Sequence, residues 1–225
     1  MAEPCEQWYV RVRYADKGYV VGYLISCGEQ FSFVFDEEDY PKVVERFWHR
    51  CAENYVATSV RVDGKGKQLF LHNLVMGRMS FLGKGQTESV DHINRIGFDN
   101  RKENLRVVSQ TEQNLNQKSR KRTATLPADS GLTMEDIPRH IWYIKANGAH
   151  GDRFAIEFKS EGITWKTTSS KSVSLCDKLT AAKAKLQEFY TTYPHLNPEN
   201  PARLAEVAAL RASYDAIVEA ATVTP

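Results

Sequence analysis

The chain has 225 residues, enough for one large domain or two small ones with a sizeable core, and its 42% apolar and 26% charged residues exclude wholesale disorder. A formal net charge of +2 leaves any binding of nucleic acid to local basic clusters, and no apolar run approaches the ~20 residues of a membrane span. The opening MAEPCEQW lacks the basic region and apolar core of a signal peptide, so an intracellular, non-secreted protein is expected, with nucleus, cytoplasm and viral factory left open. Four scattered cysteines (Cys5, Cys27, Cys51, Cys176) form no C-x-x-C pair, which argues against a zinc ribbon and for reduced structural thiols.

In chain order, residues 8–35 alternate as strands do, in the runs WYVRVRY, YVVGYLIS and QFSFVF, with turns at Asp16-Lys17-Gly18 and Gly28-Glu29. The acidic run Asp36 to Asp39 reads as a solvated helix start, where acids favour the dipole. A short helix follows over 40–51, with Val43, Val44, Phe47 and Trp48 on its apolar side. Tyr55 to Val62 and Gln68 to Leu71 pair as a hairpin across Asp63-Gly64 and Gly66.

The stretch from Ser89 to Arg122 has an order that chemistry can use. A short strand at Ser89 and Val90 delivers Asp91 and His92 side by side. A polar loop with Gly97, Asp99 and Asn100 leads to Asn104, which opens a second strand over Leu105 to Val108. Ser109 and Glu112 form an S-x-x-E capping box, which predicts a helix starting near Gln110 and carrying Gln113, Asn114 and Asn116. A carboxylate facing a side-chain amide across such a unit offers oxygen ligands to a hard cation. A neutral imidazole beside them suits a general base near pH 7. Positive charge gathers on and after this unit at Arg101, Lys102, Arg106, Lys118, Arg120, Lys121 and Arg122, in position for phosphate contact.

Residues 123–139, with Pro127, Gly131 and Pro138, read as a linker. Three strand-like runs follow, HIWYIKANG, DRFAIEFKS and ITWKTTSSK, and then a helical stripe of Leu175, Leu179, Ala182, Leu186 and Phe189. Pro198 and Pro201 announce a last helix, whose stripe of Leu204, Val207, Leu210, Tyr214, Ile217 and Val218 docks on its own protein or on a second copy, as in a homodimer.

The motifs VDHIN (90–94), DNRKENLRVVS (99–109) and the Asn-rich segment to Asn116 resemble the HNH, or ββα-metal, endonucleases, in particular the homing branch of phages and large DNA viruses. The upstream LHNLVMG (71–77) is similar to that family's His-Arg-Leu element, with Asn73 in the arginine's place. The resemblance implies an α+β chain: residues 1–122 a β-rich region leading into the nuclease core (about 69–122), 140–193 a three-stranded sheet with one helix, and 194–225 a C-terminal helix. The sheet-and-helix segment resembles the APETALA-type DNA-binding domain, with Trp142, Lys145, Arg153, Lys159, Trp165 and Lys166 as DNA contacts.

The same resemblance implies duplex DNA as partner, one Mg²⁺ or Mn²⁺ per site, and phosphodiester hydrolysis leaving 5′-phosphate and 3′-hydroxyl ends. It makes His92 the general base and Asp91 a metal ligand. Asn104 would hold the loop and orient the imidazole, and His72 would contact the scissile phosphate or pack under the site. In homing-type relatives an asparagine nine residues after the central one supplies the second ligand, whereas this chain has Gln113 there and Asn114 next. Either amide serves, or the metal site is weakened and the chain is a DNA-binding or assembly protein on the same scaffold.

Overall fold

A computed structural model describes residues 6–26, 28–51, 54–78, 88–109 and 124–223. It contains several small antiparallel sheets and C-terminal helices, an α+β arrangement, and its contacts divide the chain into two units, Met1–Asn116 with Pro201–Pro225, and Gln117–Asn200. No helix among the described residues is long and apolar enough to cross a membrane.

In the first unit the alternating N-terminal runs form β1 (Gln7–Tyr14), β2 (Lys17–Ser26) and β3 (Glu29–Asp36), an antiparallel sheet in that order. The first turn lies one step earlier than the sequence suggests, at Ala15 and Asp16, both with positive φ (46° and 63°). That is the backbone hand a two-residue hairpin needs to match the strand twist. Both faces of the sheet are covered. Val20, Leu24, Phe33 and Phe35 point into a core shared with Val43, Trp48, Val56, Leu71, Val90 and Leu105. From the opposite face Val12, Tyr19, Val21, Tyr23 and Val34 pack against Ile217 and Ala221. These last two belong to the C-terminal helix, so the later half of its apolar stripe, Tyr214, Ile217 and Val218, is docked on its own chain, while Leu204 is left 51% exposed.

The helix expected over 40–51 is only α1 (Tyr40–Val44). Trp48 turns inward and its indole N–H donates to the Val43 carbonyl at 2.9 Å, which closes the helix. Phe47, expected on the apolar side, is left 77% exposed, and His49–Cys51 becomes β4. β4 pairs with β5 (Tyr55–Val62), and β5 with β6 (Lys65–Phe70), across a turn where Asp63 and Gly64 both have positive φ. The chain continues directly into α2 (Leu71–Val75), which buries His72 and Asn73. β7 (Glu88–His92) and β8 (Leu105–Ser109) then form a two-stranded antiparallel ladder with Asp91 opposite Arg106 and His92 opposite Leu105.

In the second unit β9 (Ile141–Ile144), β10 (Arg153–Phe158) and β11 (Ile163–Lys166) form an antiparallel sheet with β10 in the centre. It is packed by α3 (Leu175–Thr192), which is capped by Ser174 and buries Leu179, Ala182, Leu186 and Tyr190. The segment expected as a linker belongs to this unit. Residues 128–130 and 134–136 form short 3-10 turns, Thr133 and Asp136 make a reciprocal cap, and Ile137 is buried. One buried apolar residue and a capping box suffice to order a stretch whose composition reads as loop. The last helix, α4 (Pro201–Val223), returns to the first unit.

Candidate functional site

β7 ends at His92 because the next residues leave the ladder for the loop 93–104, which is closed by polar bonds rather than by apolar packing. Asn104 does most of the closing. Its side-chain oxygen accepts from the Asn94 backbone N–H at 2.9 Å, and its amide donates to the Asp99 carbonyl at 2.8 Å. Its own carbonyl accepts from Ile93 N–H at 2.9 Å. Asn94, fully buried, donates to Asp99 Oδ2 at 2.7 Å and accepts from Ile96 N–H at 2.9 Å, an Asx turn. The loop is also stitched to β3: Val34 N–H donates to the Phe98 carbonyl at 2.9 Å and Asn100 N–H to the Val34 carbonyl at 2.7 Å. Gly97 is required here, since a Cβ would lie 1.9 Å from the Asn54 carbonyl oxygen.

Within this frame His92 is buried, its ring centroid 5.1 Å from that of His72 and 5.8 Å from that of Tyr55. His72 in turn stacks on Phe70 at 5.3 Å. Burial lowers the His72 pKa to about 3, with the neighbouring His92 adding to the shift. Burial likewise lowers His92 to about 4, against the opposing pull of the Asn100 side chain and the Asp91 carboxylate. Both imidazoles are therefore neutral at neutral pH, each with one lone pair. Burial, and then the Asp91 charge, raise the Tyr55 phenol. Asp91 points to the other side of the ladder from His92, where Arg106 Nη2 lies 3.2 Å from its Oδ2.

The structure thus sets His92 beside His72 on one side of the ladder and Asp91 beside Arg106 on the other, with Asn104 bracing the loop between the two strands. Gln113, Asn114, Lys118, Arg120, Lys121 and Arg122 lie outside the described residues. Among the described residues no three His, Cys, Asp or Glu side chains group as a metal site. Asp91 is the described member of the expected ligand set, and a carboxylate with an amide oxygen is a hard donor pair that suits Mg²⁺ or Mn²⁺. Arg101 is a correction. It is wholly buried rather than available for phosphate, held in two places by Asp99 at 2.7 Å and by Glu103 at 2.7 Å. A second refinement concerns the imidazole. The Asn104 amide bonds run to the loop backbone, and Asn100 is the amide beside His92.

Sequence reasoning placed Asp99 and Asn100 in the polar loop and Arg101 among the phosphate contacts, but it gave Asn94 no role and did not foresee the buried Asp99–Arg101 pair. Asn94 carried a usable signal, an asparagine two residues before an N–H in a turn; the burial of Arg101 carried none. In the second unit Trp142 is 56% exposed and lies in one cross-strand row with Ala155 and Lys166, with exposed Lys145 following β9. Trp165 sits in the other row, opposite buried Ile156 and Ile141, a packing position rather than an open one.

No protein-family profile matches the chain, and no solved structure matches it. It is similar to an uncharacterized protein of Acanthamoeba polyphaga mimivirus, 26% identical over 183 residues that cover 78% of this chain and 52% of the relative. The chain thus spans about half the length of that curated relative.

Proposed function

We propose that the chain is a metal-dependent DNA endonuclease of the HNH type that nicks or hydrolyses phosphodiester bonds of duplex DNA. The observation that carries this reading is the consecutive pair Asp91 and His92 at the end of β7, presented by a loop that Asn104 closes through three hydrogen bonds to its backbone. His92, neutral at physiological pH, takes the proton of the attacking water. His72 meets the ring edge to face and Tyr55 packs on it at a tilt, and Asn104 keeps the loop that carries it. Asp91, with Gln113 or Asn114, would hold Mg²⁺ or Mn²⁺. When bound there, such an ion supplies charge stabilisation to the transition state and the departing oxygen. Duplex DNA is the partner, with Trp142 and Lys166 on the open sheet row of the second unit, and Lys145 just after β9, as contacts.

The test is a supercoiled-plasmid nicking assay in Mg²⁺ and in Mn²⁺, with and without chelator. Nicking that needs the metal and disappears in His92→Ala supports the reading, and Gln113→Ala and Asn114→Ala assign the second ligand. A second reading, a DNA-binding protein on this scaffold without cleavage, is favoured by the Asp91–Arg106 ion pair at 3.2 Å, which already supplies the carboxylate with a cation. It predicts salt-sensitive DNA affinity that survives His92→Ala and no cleavage in either metal.

A further inference from the structure

Arg101 has five N–H groups, and each has an acceptor. Two go to the Asp99 carboxylate and one to Glu103, as described, while the remaining two reach α4, at Ser213 Oγ (2.9 Å) and the Leu210 carbonyl (2.9 Å). One residue further along α4, Arg211 Nε donates to the carbonyl of Asn94 at 3.0 Å, two positions after His92. The two arginines grip the same loop from opposite directions: Arg101 reaches out of it to the helix, and Arg211 reaches in from the helix. Between their anchor points lie Asp99 and Asn94, joined side chain to side chain at 2.7 Å, and Asn94 N–H is held by Asn104.

From this continuous path we infer that Arg101 and Arg211 are positioning residues and that α4 is part of the reaction site, locking the loop that presents His92. The role in catalysis rests on the nuclease reading above; the locking of the loop does not. α4 does more than cover the N-terminal sheet. Its C-terminal half packs on that sheet through Ile217 and Ala221, while residues 210–213 carry the polar grip on the loop. The chain completes the site only after the second unit, residues 117–200, has been traversed.

The experiment uses the full chain and compares wild type with Arg211→Ala, Arg211→Lys and Ser213→Ala. Plasmid nicking is resolved into kcat and KM, and amide hydrogen exchange is followed residue by residue. A hydrogen bond from a charged donor opposes local opening by about tenfold or more. Arg211→Ala is therefore expected to speed exchange at Asn94 and Ile96 by about tenfold, with β2 amides unchanged, and to lower kcat by about tenfold with KM held. Arg211→Lys, which keeps a donor, recovers part of both. Unchanged exchange and kcat in Arg211→Ala overturn the inference, as does acceleration spread evenly over β1–β3, which marks general destabilisation. If Arg211→Ala does not fold, Ser213→Ala, which removes one acceptor of Arg101, carries the same readouts. If the wild type does not nick at all, the nuclease reading fails and the exchange data alone decide whether α4 locks the loop.

Discussion

Replacing Asp99 with alanine strands a guanidinium in the interior. Arg101 and Asp99 both have wholly buried side chains, joined by two hydrogen bonds of 2.7 Å, and the second carboxylate oxygen also accepts from Asn94. The substitution removes both short bonds and leaves a buried cation whose nearest remaining carboxylate, Glu103, is partly exposed. Removing one partner of a buried pair costs about 3–5 kcal/mol, which for a unit of this size lowers the melting temperature by on the order of 10 °C. Removing both charges with apolar residues of similar volume costs much less, because no ion is left stranded. The comparison is therefore Asp99→Ala against the double variant Asp99→Leu with Arg101→Met, by thermal melting and urea denaturation at pH 7. The reasoning fails if the single variant melts within about 2 °C of wild type, or if the double variant is no more stable than the single one.

Three further outcomes are expected. The folded pKa values of His72 (about 3) and His92 (about 4) lie below the ordinary 6.5, so the unfolded chain binds protons first as pH falls. The stability these neutral rings contribute is fully present above pH ~6.5 and is lost as pH falls toward about 4 for His92 and about 3 for His72, with a slope of up to about 1.4 kcal/mol per pH unit for each ring. Urea midpoints measured from pH 7 to pH 4 should fall along this slope, and His72→Phe should flatten it; an unchanged slope in that variant contradicts the assignment. Gly97→Ala drives a methyl to 1.9 Å from the Asn54 carbonyl oxygen and should destabilise the first unit by about 1–3 kcal/mol, read as a lower urea midpoint. Lys166→Ala, on the open row beside Ala155 and Trp142, should weaken DNA binding and reduce the slope of log affinity against log salt by about 1 without moving the melting temperature; an unchanged salt slope removes Lys166 from the interface.

Much of the architecture was legible in local patterns. Strict alternation marked β1 to β3, and the Asp63-Gly64 pair marked the β5–β6 turn, because side-chain period and positive φ are properties of a few consecutive residues. The same holds for Asp91 and His92 at a strand end and for the helical stripe of Leu175, Leu179, Ala182 and Leu186 in α3. The helix expected over 40–51 failed at Trp48, whose indole found a better place under Val43 than on a helix surface, and that choice depends on a core built from distant strands.

By itself, then, the sequence determined the N-terminal strands, the three later strands with the helix behind them, the last helix, and which short polar segment carries a carboxylate, an imidazole and amides. The tertiary structure alone decided that the C-terminal half of the last helix's stripe docks on the first sheet, and that Arg101 faces inward to Asp99, Glu103 and α4. It also decided that His92 is a buried neutral ring beside His72. The physical reason is common to all three. Propensity and periodicity report a residue's nearest neighbours in sequence, whereas burial of a charge or an imidazole is settled by partners far along the chain, here 20 residues away for His72 and His92 and 112 for Arg101 and Ser213.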